Sequence, residues 1–210
     1  MFFVGVDLGQ RQDYTAICVA ERVEGGISPR DPANRGLRGG VFDFLEPEKP
    51  WTLVVRYLER MDLGTPYTRV ADRICEILLH PELDANSGLV VDATGVGRPV
   101  VDLLRSAPLP VMISAVTITG GDSAHNKGEE WHVPRRDLLV NLQVLLEQRR
   151  LTIARGTRET ERLVAELESM TGSGESGEHD DLVIAVALAC WRAKSASGLF
   201  GTNPLLGIPP

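Results

Sequence analysis

The sequence predicts an α/β domain built on one mixed sheet, antiparallel in its first three strands and parallel afterwards, flanked by helices on both faces. Three observations carry this. Two apolar, β-prone segments, FFVGVDL and TAICVAERV, follow each other closely at the start, as hairpin partners do. The middle of the chain alternates strand and helix in LVVDA, RPVVDLLRSA and PVMISAVTIT, the pattern of parallel strands joined by crossover helices. The last third is dominated by helical spacing of apolar residues.

Residues 2–8 read as a buried strand and 15–23 as its partner. GGISPRDPANRGLRGG (25–40), dense in Gly, Pro and Arg, reads as a long mobile loop. VFDFLE (41–46) is a third short strand, and WTLVVRYLERM (51–61) fits either a strand or a helix. TPYTRVADRICEILLH (65–80) is a helix: Thr65 is suited to cap it and Pro66 to its first position. Tyr67, Val70, Ile74, Ile77 and Leu78 keep helical spacing there. LVVDA (89–93) is an apolar strand ending in an acid, followed by a glycine turn and the helix RPVVDLLRSA. PVMISAVTIT (110–119) is another strand. After the turn GGDSAHNKGEEWHV, Pro134 opens a helix in which Leu138, Leu142 and Leu145 share a face, with Leu139 and Leu146 beside it. LTIA (151–154) is a short strand, and 157–170 is a helix with Leu163, Val164, Leu167 and Met170 inward. TGSGESGE (171–178) is a flexible loop leading into the apolar helix after His179. SASGLFGTNPLLGIPP has no periodicity. The expected organisation is one domain over 1–194 and a flexible tail over 195–210.

With 210 residues, 43% hydrophobic and 24% charged, the chain can bury a full core and has the composition of an ordinary globular domain. A net charge of −7 argues against binding nucleic acid through a uniformly basic surface, but not against a basic groove around an acidic site. Cys18, Cys75 and Cys190 show no C-x-x-C spacing and read as small buried residues of a reducing compartment. The first residues carry no basic n-region, and the longest apolar run, 182–191, is too short to span a bilayer. A cytoplasmic protein with no membrane partner is expected.

The acids carry the chemistry. Asp7 ends the first strand in VGVDLG, Asp92 ends a later one in LVVDATG, and Asp180 and Asp181 stand at the mouth of the last helix in HDDLVIAVALA. Ligands of open α/β sheets bind outside the carboxyl ends of the strands. If the two strands are parallel neighbours, Asp7 and Asp92 share that edge, and the helix start can deliver Asp180 and Asp181 to it. Converging carboxylates repel one another unless a cation sits among them, and hard ions such as Mg²⁺ or Mn²⁺ take oxygen ligands. Two such ions, about 3.5–4 Å apart, clamp the attacking and leaving oxygens of a phosphoryl group, which points to phosphodiester hydrolysis.

The segments FFVGVDLGQRQDYTAICV, LVVDATGVGRPVVDLL and HDDLVIAVALA, with VPRRDLLVNLQVLLEQRRLTIA between them, resemble the nuclease domain of phage large terminase subunits over roughly residues 2–192. The resemblance implies an RNase H-like fold and an endonuclease that cuts double-stranded DNA during genome packaging. Asp7, Asp92 and one or both of Asp180 and Asp181 would hold the catalytic metals, in a phage- or prophage-encoded protein of the bacterial cytoplasm. A large terminase also carries an ATPase motor with a G-x-x-x-x-G-K-[ST] loop. Lys49, Lys127 and Lys194 are the lysines here, and none follows a glycine. The expectation is an excised nuclease domain or a stand-alone relative, with Leu199, Phe200, Leu205, Leu206 and Ile208 of the tail available to dock a separate motor subunit.

Each residue also has a plainer reading. Asp7 can be a strand-end acid, although a buried strand seldom ends in an unpaired charge. Asp92 can form an Asx-turn with Gly95. One of Asp180 and Asp181 can simply cap the helix, which would divide the work between capping and metal binding, with Asp181 the slightly favoured ligand. Asp13 is a turn residue or an outer support of the site. His179 is a phosphate contact, a proton shuttle or a loop histidine. Arg98, in the ATGVGRP turn, Arg135 and Arg136 in the densest basic region, and Arg35 and Arg38 in the 25–40 loop are the candidate DNA contacts. Three other functions compete: a Holliday junction resolvase acting on branched DNA, a non-catalytic nuclease-like assembly module, and an actin-like ATPase, whose two-domain nucleotide cleft 210 residues cannot supply.

Overall fold

The computed structural model describes residues 1–9, 13–24, 51–83, 87–95, 97–127, 130–173 and 179–197. The elements in chain order are β1 (Phe2–Asp7), β2 (Ala16–Glu24), β3 (Trp51–Arg60), α1 (Tyr67–Leu78), β4 (Ser87–Asp92), α2 (Gly97–Ser106), β5 (Met112–Thr119), β6 (His125–Lys127), β7 (Glu130–Pro134), α3 (Arg135–Glu147), β8 (Leu151–Ile153), α4 (Thr160–Ser173) and α5 (Asp181–Ser197). They form one eight-stranded sheet in the order β6-β7-β5-β4-β1-β2-β3-β8. The pairs β1–β2, β2–β3 and β6–β7 are antiparallel, while β1–β4, β4–β5, β5–β7 and β3–β8 are parallel.

Alternation along the strands splits the core in two. Val4, Val6, Leu89 and Val91 point to one face, where they pack with Val70 and Ile74 of α1 and Val100 and Leu104 of α2. Phe3 and Val90 point to the other, against Leu138 and Leu142 of α3, Leu163 of α4 and nearly the whole first half of α5. By the same period of two, Asp7 follows Phe3 and Gly5 onto the α5 face, and Asp92 follows Val90.

Helix α5 is apolar all round because it is covered all round: residues 181–190 are buried between the strands β1–β4 and the helices α3 and α4. Gly5 makes this approach possible. A Cβ at that position would lie 2.1 Å from the Ala185 carbonyl oxygen and 2.7 Å from the Ala189 nitrogen. The helix backbone rests directly on β1, and its N-terminus comes down beside Asp7.

Packing settles one open reading and corrects several expectations. Residues 51–60 form a strand, because ladder bonds to β2 outweigh the ambiguous pattern. The β6–β7 hairpin lies in the stretch read as a turn. Thr65 does not cap α1: Pro66 holds the N-cap position with an extended backbone, and the Thr65 hydroxyl donates instead to the Asp62 carbonyl at 2.6 Å. Val164 is exposed rather than inward, and Leu146, beside the buried face of α3, is exposed as well. On α4 the inward stripe runs through buried Leu163 and Glu166 and partly buried Leu167 and Met170, so Val164 falls outside it. Residues 25–46, with the expected loop and third strand, lie outside the described residues, as do 198–210 of the tail; α5 itself continues through Ser197.

Candidate active site at the carboxyl ends of the central strands

Strands β1 and β4 pair in parallel with Val6 opposite Val91, so Asp7 and Asp92 come next on each strand, side by side at the carboxyl end. Asp92 accepts the Thr94 N–H at 2.8 Å, an Asx-turn to Thr94 rather than Gly95. The Thr94 hydroxyl in turn accepts the Ile118 N–H at 2.8 Å, tying this turn to β5. The turn is tight: a Cβ at Gly97, which opens α2, would lie 2.3 Å from the Asp92 carbonyl oxygen. Burial pushes the Asp7 carboxyl well above the ordinary carboxylate range, and Asp92, Asp181 and Asp180 push it further in that order, with Arg135 opposing them. Asp92 is raised as well, mainly by burial, against its bonds to Thr94 and Asp7.

The start of α5 brings the other two acids. Asp180 holds the N-cap position, its carbonyl accepting the Ile184 N–H at 2.9 Å. Its carboxylate bonds to Arg135 at the start of α3. Asp181, 6% exposed, pairs with Arg60 at the end of β3 at 3.3 Å. Burial raises its carboxyl, Arg60 and His179 lower it, and Asp180 and Asp13 raise it. Neither acid caps the helix with its side chain. Oε2 of Glu166, on α4, accepts the Leu182 N–H at 3.0 Å and the Val183 N–H at 3.1 Å.

Arg60, Tyr14 and Glu166 were not anticipated. The Arg60 guanidinium lies 3.5 Å from the centre of the Tyr14 ring, and Tyr14 meets His179 edge to face at 5.4 Å. His179 is therefore packed into the site wall, and its Nδ1 is buried with no partner among the described residues. In the sequence Arg60 is one of three charges on β3, beside Arg56 and Glu59, and nothing local sets it apart. Asp13 is exposed in the turn before β2 and reaches the cluster only through its charge on Asp181.

Of the candidate DNA contacts, Arg135 turns inward onto Asp180, Arg98 is paired with Glu130 at 3.0 Å, and Arg136 is largely exposed, 3.8 Å from Asp137. Arg35 and Arg38 lie outside the described residues.

The donor set is carboxylate throughout, which suits a hard divalent cation. Burial and the neighbouring carboxylates both disfavour the Asp7 charge, and Arg135 offsets them only in part. In chemistry and place the residues fit such an ion. Asp180 and Asp181 are turned to Arg135 and Arg60, and among the described residues no three His, Cys, Asp or Glu side chains are gathered as a ready metal site.

No protein-family model matches the sequence, and no curated protein matches it. Solved structures do. The large terminase nuclease of the thermophilic phage G20c with bound zinc is similar at a TM-score of 0.54 and 20% identity, over 90% of this chain and 79% of that one. The same nuclease with bound magnesium is similar at 0.53 and 19%, over 91% and 81%. The human cytomegalovirus terminase nuclease domain, soaked with manganese and bound to an inhibitor, is similar at 0.51 and 14%, over 94% and 85%. The chain therefore has the RNase H-like fold of the large terminase nuclease domains, as its sequence resemblance implied.

Proposed function

We propose that this chain is a metal-dependent endonuclease that hydrolyses DNA phosphodiester bonds, with Asp7, Asp92 and one or both of Asp180 and Asp181 holding two Mg²⁺ or Mn²⁺ ions. The observation that carries the reading is the placement of Asp7 and Asp92 side by side at the carboxyl ends of β1 and β4, with Asp180 and Asp181 at the α5 N-terminus close enough to raise, after burial, the Asp7 carboxyl. Two bound ions would supply an activated water and neutralise the leaving oxygen. Asp7 must release its proton for them, and Asp92 is oriented for the task by Thr94. Asp181 is the more deeply buried of the pair, which favours it as the main ligand.

Arg136 on the rim, with Arg98 and the arginines of the 25–40 segment, is suited to a DNA backbone, and Arg135 to a phosphate once it leaves Asp180. Double-stranded DNA is the proposed substrate, with branched DNA the alternative. The likeness to large terminase nucleases supports a role in packaging, in the bacterial cytoplasm, beside a separate ATPase subunit docked through the C-terminal tail. Among the described residues no helix is long and apolar enough to cross a membrane. The test is plasmid cleavage with Mn²⁺, Mg²⁺ or EDTA, for wild type, Asp92→Asn and Asp181→Asn. Metal-dependent nicking that falls at least 100-fold in both variants is expected, on the ~10²-fold scale of losing one transition-state-stabilising group. Equal cleavage in the variants, or cleavage in EDTA, would overturn the reading.

A further inference from the structure

We infer that Glu166 is a positioning residue that keeps Asp180 free for the acidic cluster by capping α5 in its place. The inference rests on the metal role proposed for the acid pair. An aspartate at the N-cap ordinarily turns its carboxylate onto the N–H groups two and three residues ahead. For Asp180 these belong to Leu182 and Val183, and both are already bonded to Glu166 Oε2, at 3.0 and 3.1 Å. Glu166 is 6% exposed and comes from α4, sixteen residues earlier in the chain.

Its negative charge meets the positive end of the helix, the second service that a capping acid gives. The Asp180 side chain, released from both tasks, bonds to Arg135 instead and acts on Asp7. Take Glu166 away and two buried N–H groups lose their acceptor. Asp180 is the nearest replacement, since short acids readily fold back on local backbone. The carboxylate would then leave the cluster to close its own helix. Among the described residues Glu166 Oε1 has no partner, so a glutamine can place its amide nitrogen there and keep the accepting oxygen on the helix.

The experiment is calorimetric titration of the full chain with Mn²⁺, alongside thermal melting, for wild type, Glu166→Ala and Glu166→Gln. Glu166→Ala is expected to weaken Mn²⁺ binding about 10–100-fold, the range for residues that orient metal ligands, with Glu166→Gln within a few-fold of wild type. A folded Glu166→Ala that binds Mn²⁺ as tightly as wild type overturns the inference, and so does a Glu166→Gln as weak as Glu166→Ala. If Glu166→Ala does not fold, Glu166→Asp, one methylene shorter and unable to span both N–H groups, takes its place with the same expected loss. Wild type that binds no Mn²⁺ overturns the metal reading and this inference with it, whereas unchanged binding in the variant overturns this inference alone.

Discussion

Helices α1 and α3 start differently from α5, and the difference follows from where water can reach. Both α1 and α3 begin after a proline, Pro66 and Pro134, with no side-chain cap. Their first turns carry exposed residues, Thr68 and Arg69 in one and Arg136 in the other, so water can satisfy the free N–H groups. The first turn of α5 is buried, and its N–H groups take their acceptor from Glu166 on another helix. A surface helix can start on local sequence alone. A buried helix that must also present two acids to a site needs its start bonded from elsewhere.

The strongest way to break this comparison is to lift α5. Gly5→Ala places a methyl 2.1 Å from the Ala185 carbonyl oxygen, and both clashing atoms are helix backbone. The expected cost is about 1–3 kcal/mol of stability, as for overpacked cores. At this chain length each kcal/mol lowers the melting midpoint by about 2–4 °C. The proposed cleavage activity should fall too, because the α5 start moves away from Asp7. Gly88→Ala is the control: its Cβ meets nothing nearer than the Phe3 ring at 3.7 Å, and its effect should stay within about 1 kcal/mol. Equal melting curves for the two variants would show that α5 is not seated on β1 as described.

This packing also explains what the sequence could and could not reveal. Asp7 and Asp92 were legible because each ends an apolar strand, and Asp180 and Asp181 because they precede an unbroken apolar run; those local marks suffice to predict that the acids meet. The α1 stripe of Val70, Ile74, Ile77 and Leu78 was legible for the same reason. Glu166 was not, since on α4 it looks like one more charge on an amphipathic helix, and only the contact with α5 makes it a cap. Arg60 and Tyr14 were hidden likewise: their stacking joins the end of β3 to the turn before β2, a contact no single segment encodes. The β6–β7 hairpin escaped because a short edge pair built on His125 and His132 carries little apolar alternation.

A second test of the contrast uses pH. Burial and three neighbouring carboxylates hold Asp7 protonated to a higher pH than its ordinary 3.8. Between the unfolded and folded values the folded chain binds more protons, so its stability falls as pH rises through that window. Asp92 and Asp181, both raised chiefly by burial, act in the same direction. The metal-free protein should therefore melt lower at neutral pH than at the acidic end of the window. Asp7→Asn should flatten that slope and raise the neutral-pH midpoint by a few degrees, on the scale of about 2–4 °C per kcal/mol. Added Mn²⁺ should stabilise wild type increasingly as pH rises, since binding must displace the proton, and should do so far less in Asp7→Asn. A variant that melts lower than wild type at neutral pH, with the pH slope unchanged, would remove Asp7 from the cluster's electrostatics.

The smallest expected effect is the sharpest on the comparison itself. Thr65 stands where a sequence reader places the α1 cap, yet its hydroxyl donates to the Asp62 carbonyl at an exposed turn and leaves the helix N–H groups alone. Losing a true cap costs about 1 kcal/mol, in a range of roughly 0.5–2. Thr65→Ala should cost less than about 0.5 kcal/mol, the usual scale for a surface change that removes no cap. Denaturant melts with matched slopes resolve the difference. A Thr65→Ala loss as large as a full cap would mean that α1 is closed by its own sequence in solution, and the distinction between a water-served start and a bonded one would rest on α3 alone.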